Sequence, residues 1–325
     1  MGLLVEGQWK SDDFGTYTEG RFVRADSCFR GTVTADGSSG FSAEPGRYHL
    51  YVSPACGWSH RTQLFQRLRG LDDVVSTSKV EAYMGERGWT FSEPGTAAAD
   101  PIAGRRFLHE VYTAAKPDYT GRVTVPVLWD RRTQTIVSNE SLDICRAFDR
   151  AFTVRGETRL GPLFPDEGSP EESEHQAMIE ANYHALNNGV YRAGFAKSQE
   201  AYEEAARAVF ERLDALEPLL GQRRYLCGER ITAADLFLFP TLFRFDAVYH
   251  THFKCNLRRL VDYPNLWGYT RELYQLPGVR EDCELEETKV HYYTSHPSVN
   301  PRGTIPIGPE LDFEQPHGRG RLGGG

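Results

Sequence analysis

The sequence predicts a small α/β domain followed by an all-helical one. Three observations carry this: strand-like runs spaced between residues 48 and 137, a break rich in Pro and Gly at 156–170, and helical patterns after it. At 325 residues the chain has room for two cores.

Taken in order, residues 1–45 are polar and Gly-rich, with aromatics at Phe14, Tyr17, Phe22, Phe29 and Phe41. They read as an arm laid over a domain rather than a fold of their own. Tyr48 to Val52 reads as a strand, and a helix runs from Cys56 to about Arg69. Asp73 to Val80 contains a second strand, β-branched at Val74, Val75 and Val80. The stretch from Ala82 to Gly121 interrupts the pattern with Gly85, Gly88, Pro94, Gly95, Pro101 and Gly104, and holds one short helical piece over 106–115. Insertions of this length are usually functional or disordered, and Trp89 favours function. Val123 to Trp129 is a strand, Thr135 to Val137 its hairpin partner, and Asn139-Glu140-Ser141 opens a helix to about Phe152. Strand, helix and strand followed by a hairpin and a helix is the thioredoxin-like α/β arrangement, assigned to residues 46–155.

Residues 156–170, with three Pro and three Gly, read as a linker. Helices are expected over Glu171–Asn187, over Ser198–Leu220 with Ala201, Ala205, Val209, Leu213 and Leu216 on one stripe, and over Pro264–Gln275. Thr232 caps another, with Asp235 three residues on, and its body from Leu236 to Val248 is apolar on most faces and therefore central. This helical domain is assigned to residues 171–310, and 311–325 to a flexible tail, disordered from Gly318.

Composition excludes several classes. A formal net charge of −8 argues against nucleic acid or an anionic membrane as partner. The most apolar stretch, Leu236 to Phe243, is too short to span a bilayer, and the early acid Glu6 leaves no signal peptide, so a cytoplasmic location is expected. The six Cys form no C-x-x-C pair, and so few in this length suit a reducing compartment. None of the ten His has the spacing or carboxylate company of a metal site, so no metal is expected.

Chemistry gathers at three places. Cys56 stands where a strand hands over to a helix, against the unpaired N–H groups and positive dipole end of a first turn, which favour a thiolate. His60 and Arg61 follow on the next turn as further candidate positive charge. A buried Cys packing as a small hydrophobe is the plainer alternative, but Gly57 and Ser59 leave the position uncrowded. Pro126 lies inside a strand-like run, where it is either an edge-strand proline or part of a cis Val125–Pro126 bond that turns Val125 outward to pair with an extended peptide. Glu140 and Ser141 open a helix, where they either cap it or hold the ammonium and carboxylate of a ligand.

Together these three describe a site for a γ-glutamyl tripeptide thiol, and the chain resembles the glutathione transferases, specifically the xi class of glutathionyl-hydroquinone reductases, the omega-like group. The resemblance rests on 47–52, Cys56-x-Trp58-Ser59-His60-Arg61, Gly88-Trp89, 121–130, Asn139-Glu140-Ser141, 188–196, His291-Tyr292-Tyr293-x-Ser295-His296 and the Pro-rich run 300–309. It implies the glutathione transferase fold, a homodimer, and glutathione as co-substrate with no tightly bound cofactor. By position it implies Cys56 as nucleophile, Val125 pairing with the cysteinyl backbone, Glu140 and Ser141 at the γ-glutamyl end, and Trp89 and Arg122 as further tripeptide contacts. Tyr191 and Tyr292 would face an aromatic substrate, with Tyr293 a less favoured substitute for Tyr292.

The implied reaction is reductive deglutathionylation of S-glutathionyl-hydroquinones through a Cys56–glutathione mixed disulfide. A general thiol transferase acting on glutathionylated proteins or dehydroascorbate would use the same Cys56, and a non-catalytic glutathione-binding scaffold would need none. One departure is Gly57, where the family usually has Pro, and it is expected to tune Cys56 rather than change the reaction.

Overall fold

The computed structural model describes residues 2–11, 16–92, 99–152 and 160–323. Phe14, Pro94 and Gly95, the linker positions 156–159 and the last two glycines lie outside the described residues.

Two hairpins begin the chain, β1 (Leu3–Val5) with β2 (Gln8–Lys10) and β3 (Thr16–Thr18) with β4 (Arg21–Val23). The main sheet holds β5 (Tyr48–Val52), then, after helix α1 (Gly57–Leu68), β6 (Ser76–Lys79). Helix α2 (Leu108–Ala115) and the short β7 (Gly121–Arg122) lead to the hairpin β8 (Val127–Asp130) and β9 (Thr135–Ser138), and α3 (Ser141–Arg150) follows. The sheet order is β6-β5-β8-β9, with β5 parallel to β6 and antiparallel to β8. Every residue of β5 and of β8 is buried, as expected of inner strands covered on both faces.

The segment expected as an arm is stitched into this unit. Leu3 and Leu4 of β1 pair with Arg122 and Gly121 of β7, and Gly31 donates its amide to the Val137 carbonyl at 2.9 Å. The arm also reaches the helices, since Lys197 donates its amide to Gly20 and the rings of Phe22 and Phe195 lie 5.4 Å apart.

The second half holds α4 (Pro170–Asn182), α5 (Gly189–Gly194), α6 (Gln199–Gln222), α7 (Ala233–Arg244), α8 (Pro264–Tyr274) and α9 (Leu285–Ser295), with π turns extending α4 over Tyr183–Asn187 and α7 over Phe245–Tyr249. The stripe on α6 is buried from Ala201 to Leu220. All of α7 is buried, including Asp235, the acid three residues after the Thr232 cap, whose carboxylate accepts from the amides of Thr232 and Leu226 and from the Tyr269 hydroxyl. Burial raises the pKa of Asp235, and those donors oppose it.

One expectation needs correction. Residues 311–323 are not a flexible tail: Phe313 packs 5.1 Å from the rings of Trp267, Tyr274 and Phe243. Arg319 is buried, pairs with Glu272 at 2.9 Å, and donates to the carbonyls of Leu220, Arg223 and Arg224. One aromatic and one guanidinium anchor a stretch whose Gly and Pro content pointed to disorder. The linker is anchored too, because Leu163 and Phe164 are buried and both donate amides to Asp149.

Candidate functional site

Cys56 is the cap residue of α1 and already accepts its first helical bond, from the His60 amide at 2.9 Å. Its side chain therefore stands at the first turn, where the unpaired amides cluster. The Cys56 thiol points across to the Val125 carbonyl, 3.8 Å from Sγ. The Val125–Pro126 bond is cis, and the strand it leads into is β8, an inner strand of the sheet, so the edge-strand reading of Pro126 is set aside.

A cavity of about 270 Å³ opens beside Cys56 between the two halves of the molecule. All eight site residues expected from the sequence line it: Cys56, Trp89, Arg122, Val125, Glu140, Ser141, Tyr191 and Tyr292. The capping reading of Glu140 holds. Its carboxylate caps α3 by accepting from the Leu142 amide at 3.2 Å and from Ser27 of the arm at 3.0 Å, while the residue also faces the cavity. Trp89 stacks on His291 with ring centroids 4.7 Å apart, which ties the 82–121 insertion to α9. His291 donates from Nδ1 to the Ala82 carbonyl at 2.9 Å, leaving the lone pair on Nε2.

On the helical side the hydroxyls of Tyr191 and Tyr292 lie 2.5 Å apart, and Tyr249 stands 3.3 Å from Tyr292. Burial pushes the pKa of Tyr191 up and those of Tyr249 and Tyr292 well up, so all three hydroxyls stay protonated at neutral pH. A negative charge on Cys56 raises Tyr191 and Tyr292 further, which expresses their electrostatic coupling to the sulfur. Tyr293 is resolved from Tyr292 by direction: its hydroxyl donates to the Ala247 carbonyl at 3.0 Å, and it does not line the cavity.

The expectation that His60 adds positive charge is wrong. Burial, then the adjacent Arg244 guanidinium, hold its pKa well below the ordinary imidazole value, so it is neutral. Arg61 turns to pack against Trp58 and Phe237, at 4.4 and 4.6 Å from their ring centres. Arg61 nonetheless keeps an electrostatic interaction with Cys56, and a second cation, Arg244, lies fully buried at the end of α7. It donates to the carbonyls of Pro54 at 2.7 Å and Ala55 at 2.9 Å, and to His60 Nδ1 at 2.9 Å, clamping the loop that carries Cys56. Its only signal in the sequence is a charge inside an otherwise apolar helix. Trp58 and Arg24 also line the cavity; Trp58 belongs to the run that follows Cys56, whereas Arg24, like Tyr249 behind Tyr292, carries no distinguishing pattern in the sequence. Among the described residues no group of three or more His, Cys, Asp or Glu side chains is arranged to hold a metal.

Gly57, at the first helical position, is not imposed by crowding. A Cβ built on it would meet Pro240 Cβ at 3.7 Å and the Tyr249 hydroxyl at 4.0 Å, ordinary contact distances.

Comparison with known proteins agrees with this geometry. The model of the glutathione S-transferase N-terminal domain matches residues 55–151, and that of the C-terminal domain matches 199–272. The chain is 48% identical over 328 residues to the glutathionyl-hydroquinone reductase YqjG of Escherichia coli, covering 98% of each. It is 50% identical over 310 residues to the glutathionyl-hydroquinone reductase PcpF of Sphingobium chlorophenolicum, covering 95% of this chain and 96% of that one. Among solved structures, the xi class transferase of Natrialba magadii superposes with a TM-score of 0.91 at 44% identity, over 100% of this chain and 98% of that one. The glutathione-bound structure of YqjG superposes with a TM-score of 0.87 at 45% identity, over 98% and 99%. With a thioredoxin-like half, a helical half and a cysteine at the mouth of the cavity between them, the chain belongs to the xi class of the glutathione transferases.

Proposed function

We propose that this protein is a glutathionyl-hydroquinone reductase, which removes glutathione from S-glutathionyl-hydroquinones to yield hydroquinone and glutathione disulfide. The observation that carries the reading is the shared cavity: a cysteine at a helix start, Val125 beside its cis proline and a pair of protonated tyrosines face one space. The activity named for the relatives YqjG and PcpF supports it.

In this reading glutathione lies along Val125, with its γ-glutamyl end at Glu140 and Ser141 and with Trp89 and Arg122 beside it. The Cys56 thiolate attacks the sulfur of the conjugate. With the ring in its keto tautomer, which carries a proton on the sulfur-bearing carbon, a sulfur–sulfur bond forms, the carbon–sulfur bond breaks, and its electron pair restores the aromatic ring as a phenolate, which takes up a proton. Negative charge thus develops on a ring oxygen. The Tyr191 and Tyr292 hydroxyls are suited to donate to the ring oxygens, stabilising both the keto form and the phenolate that leaves. A second glutathione thiolate then attacks the mixed disulfide, releasing glutathione disulfide and free Cys56, so ping-pong kinetics follow.

The same reading assigns residues 46–155 to the tripeptide and 171–310 to the ring, and takes the working protein as a cytoplasmic homodimer. Among the described residues no helix is long and apolar enough to cross a membrane.

The test follows free hydroquinone from S-glutathionyl-hydroquinone with excess glutathione, and the intact mass of the protein. Wild type should release hydroquinone and carry a glutathione adduct, and Cys56→Ala should lose both, with release down by at least about 10³-fold. Binding of glutathione without release by wild type would instead favour a thiol transferase or a binding scaffold.

A further inference from the structure

The cavity holds a cation that the reaction above does not use. Arg24 follows β4 in the arm, lines the cavity, and lays its guanidinium 4.6 Å from the Trp58 ring centre and 5.2 Å from that of Tyr191. Its Nε donates to Asn188 Oδ1 at 3.1 Å, fixing the plane of the group against the start of α5. Neighbouring arginines in the same seam between arm and helices are neutralised: Arg21 and Arg192 share Glu204, at 3.0 and 2.8 Å. Arg24 has no carboxylate partner among the described residues. Two carboxylates do line the cavity, but Glu140 is engaged by Ser27 and the Leu142 amide, and Asp26 makes no ion pair with Arg24.

The surroundings of Arg24 are aromatic: Phe22, Trp58, Tyr191 and Phe195 line that end of the cavity, while Arg122 stands on β7 beside Val125. A guanidinium stacked on rings, part-shielded from water and without an anion, is placed to take one from a ligand.

We infer that Arg24 makes the ring site selective for hydroquinone conjugates whose ring carries an acidic substituent, a carboxylate or an ionised phenol, over neutral ones. The inference rests on the reading of the cavity given under the proposed function. The ligand offers carboxylates from two sources, the ring and glutathione itself, and the experiment separates them.

Binding is measured by calorimetry on protein carrying Cys56→Ser, so that no turnover is required. The probes are S-glutathionyl-hydroquinone, S-glutathionyl-2,5-dihydroxybenzoate and glutathione alone, each against the parent, Arg24→Gln and Arg24→Lys. The carboxylated conjugate should bind the parent about tenfold or more tighter than the neutral one. That ratio should fall to about one in Arg24→Gln and recover in part in Arg24→Lys. An equal loss for all three probes in Arg24→Gln would assign Arg24 to a glutathione carboxylate and overturn the proposal. A ratio near one in the parent, or one that survives Arg24→Gln, would overturn it as well. Should the wild type bind both conjugates tightly without turning them over, the reductase reading fails, while an Arg24-dependent ratio still supports the selectivity.

Discussion

The two walls of the cavity are built in opposite ways. The wall with Cys56, Val125, Glu140 and Ser141 comes from one small sheet unit, and each residue sits at a local junction: a strand-to-helix handover, a cis X-Pro bond, a helix cap. The wall with Tyr191 and Tyr292, backed by Tyr249, draws on three separate helical segments, and the hydroxyls meet only because those segments pack. The first wall is local chain geometry given a chemical task. The second exists only as tertiary structure.

The comparison can be broken most forcefully at the tyrosines. Tyr191→Phe and Tyr292→Phe should each lower turnover by about 10²-fold, the usual effect of removing one donor to a developing oxyanion. Because the two hydroxyls lie 2.5 Å apart, the double variant should lose clearly less than the product of the singles, as a double-mutant cycle would read. Strict multiplication would mean that the second wall is two independent contacts, not one unit.

Arg244 tests whether the first wall really is local. It reaches from α7 to the carbonyls of Pro54 and Ala55, so Arg244→Met strands buried acceptors in the nucleophile loop. A loss of about 3 kcal/mol or more in urea unfolding is expected. No loss would show that the loop stands without help from the helical half.

Acid should strike both halves together. Burial, the leading cause in each case, holds His49 down to about 3 and His175, His252 and His291 down to about 4, so the folded protein keeps these rings neutral. The unfolded chain takes up protons below its ordinary value near 6.5 while the folded one does not, so this stability is complete above that pH and declines as pH falls towards 4. Each ring contributes at most about 1.4 kcal/mol per pH unit across that window. A melting temperature flat from pH 7 to pH 4.5 would contradict this.

The smallest effect belongs to Gly57→Pro. Proline suits the first helical position, and the space beside Gly57 admits a side chain at ordinary contact, so a gain of about 0.5–1 kcal/mol is expected by thermal melting. A loss of stability would mean that the Gly57 amide has a partner the fold needs.

How legible each wall is follows the same division. Cys56, Pro126, Glu140 and Ser141 announce themselves because their chemistry and their junction lie within a few residues of sequence. Tyr191 and Tyr292 are reached through family resemblance alone, since aromatic residues in helices ordinarily read as core. Helix α9, which carries Tyr292, shows no apolar stripe because it buries Thr288, Lys289, His291 and Ser295 alongside its tyrosines. Arg24 and Arg244 escape for a related reason, since their partners are rings and carbonyls distant in sequence. His60 misleads because proximity in sequence to Cys56 says nothing about which way the ring turns.

The arm has a consequence for how the protein is made. Its residues leave the ribosome before their partners do: β1 must wait for β7, about 120 positions later, and Arg21 for Glu204, 183 residues downstream. The last cavity residue that the reaction calls on is Tyr292, far downstream of Cys56. A nascent chain therefore carries Cys56 in an unfinished pocket until Tyr292 has been added, with its opposing wall still to come.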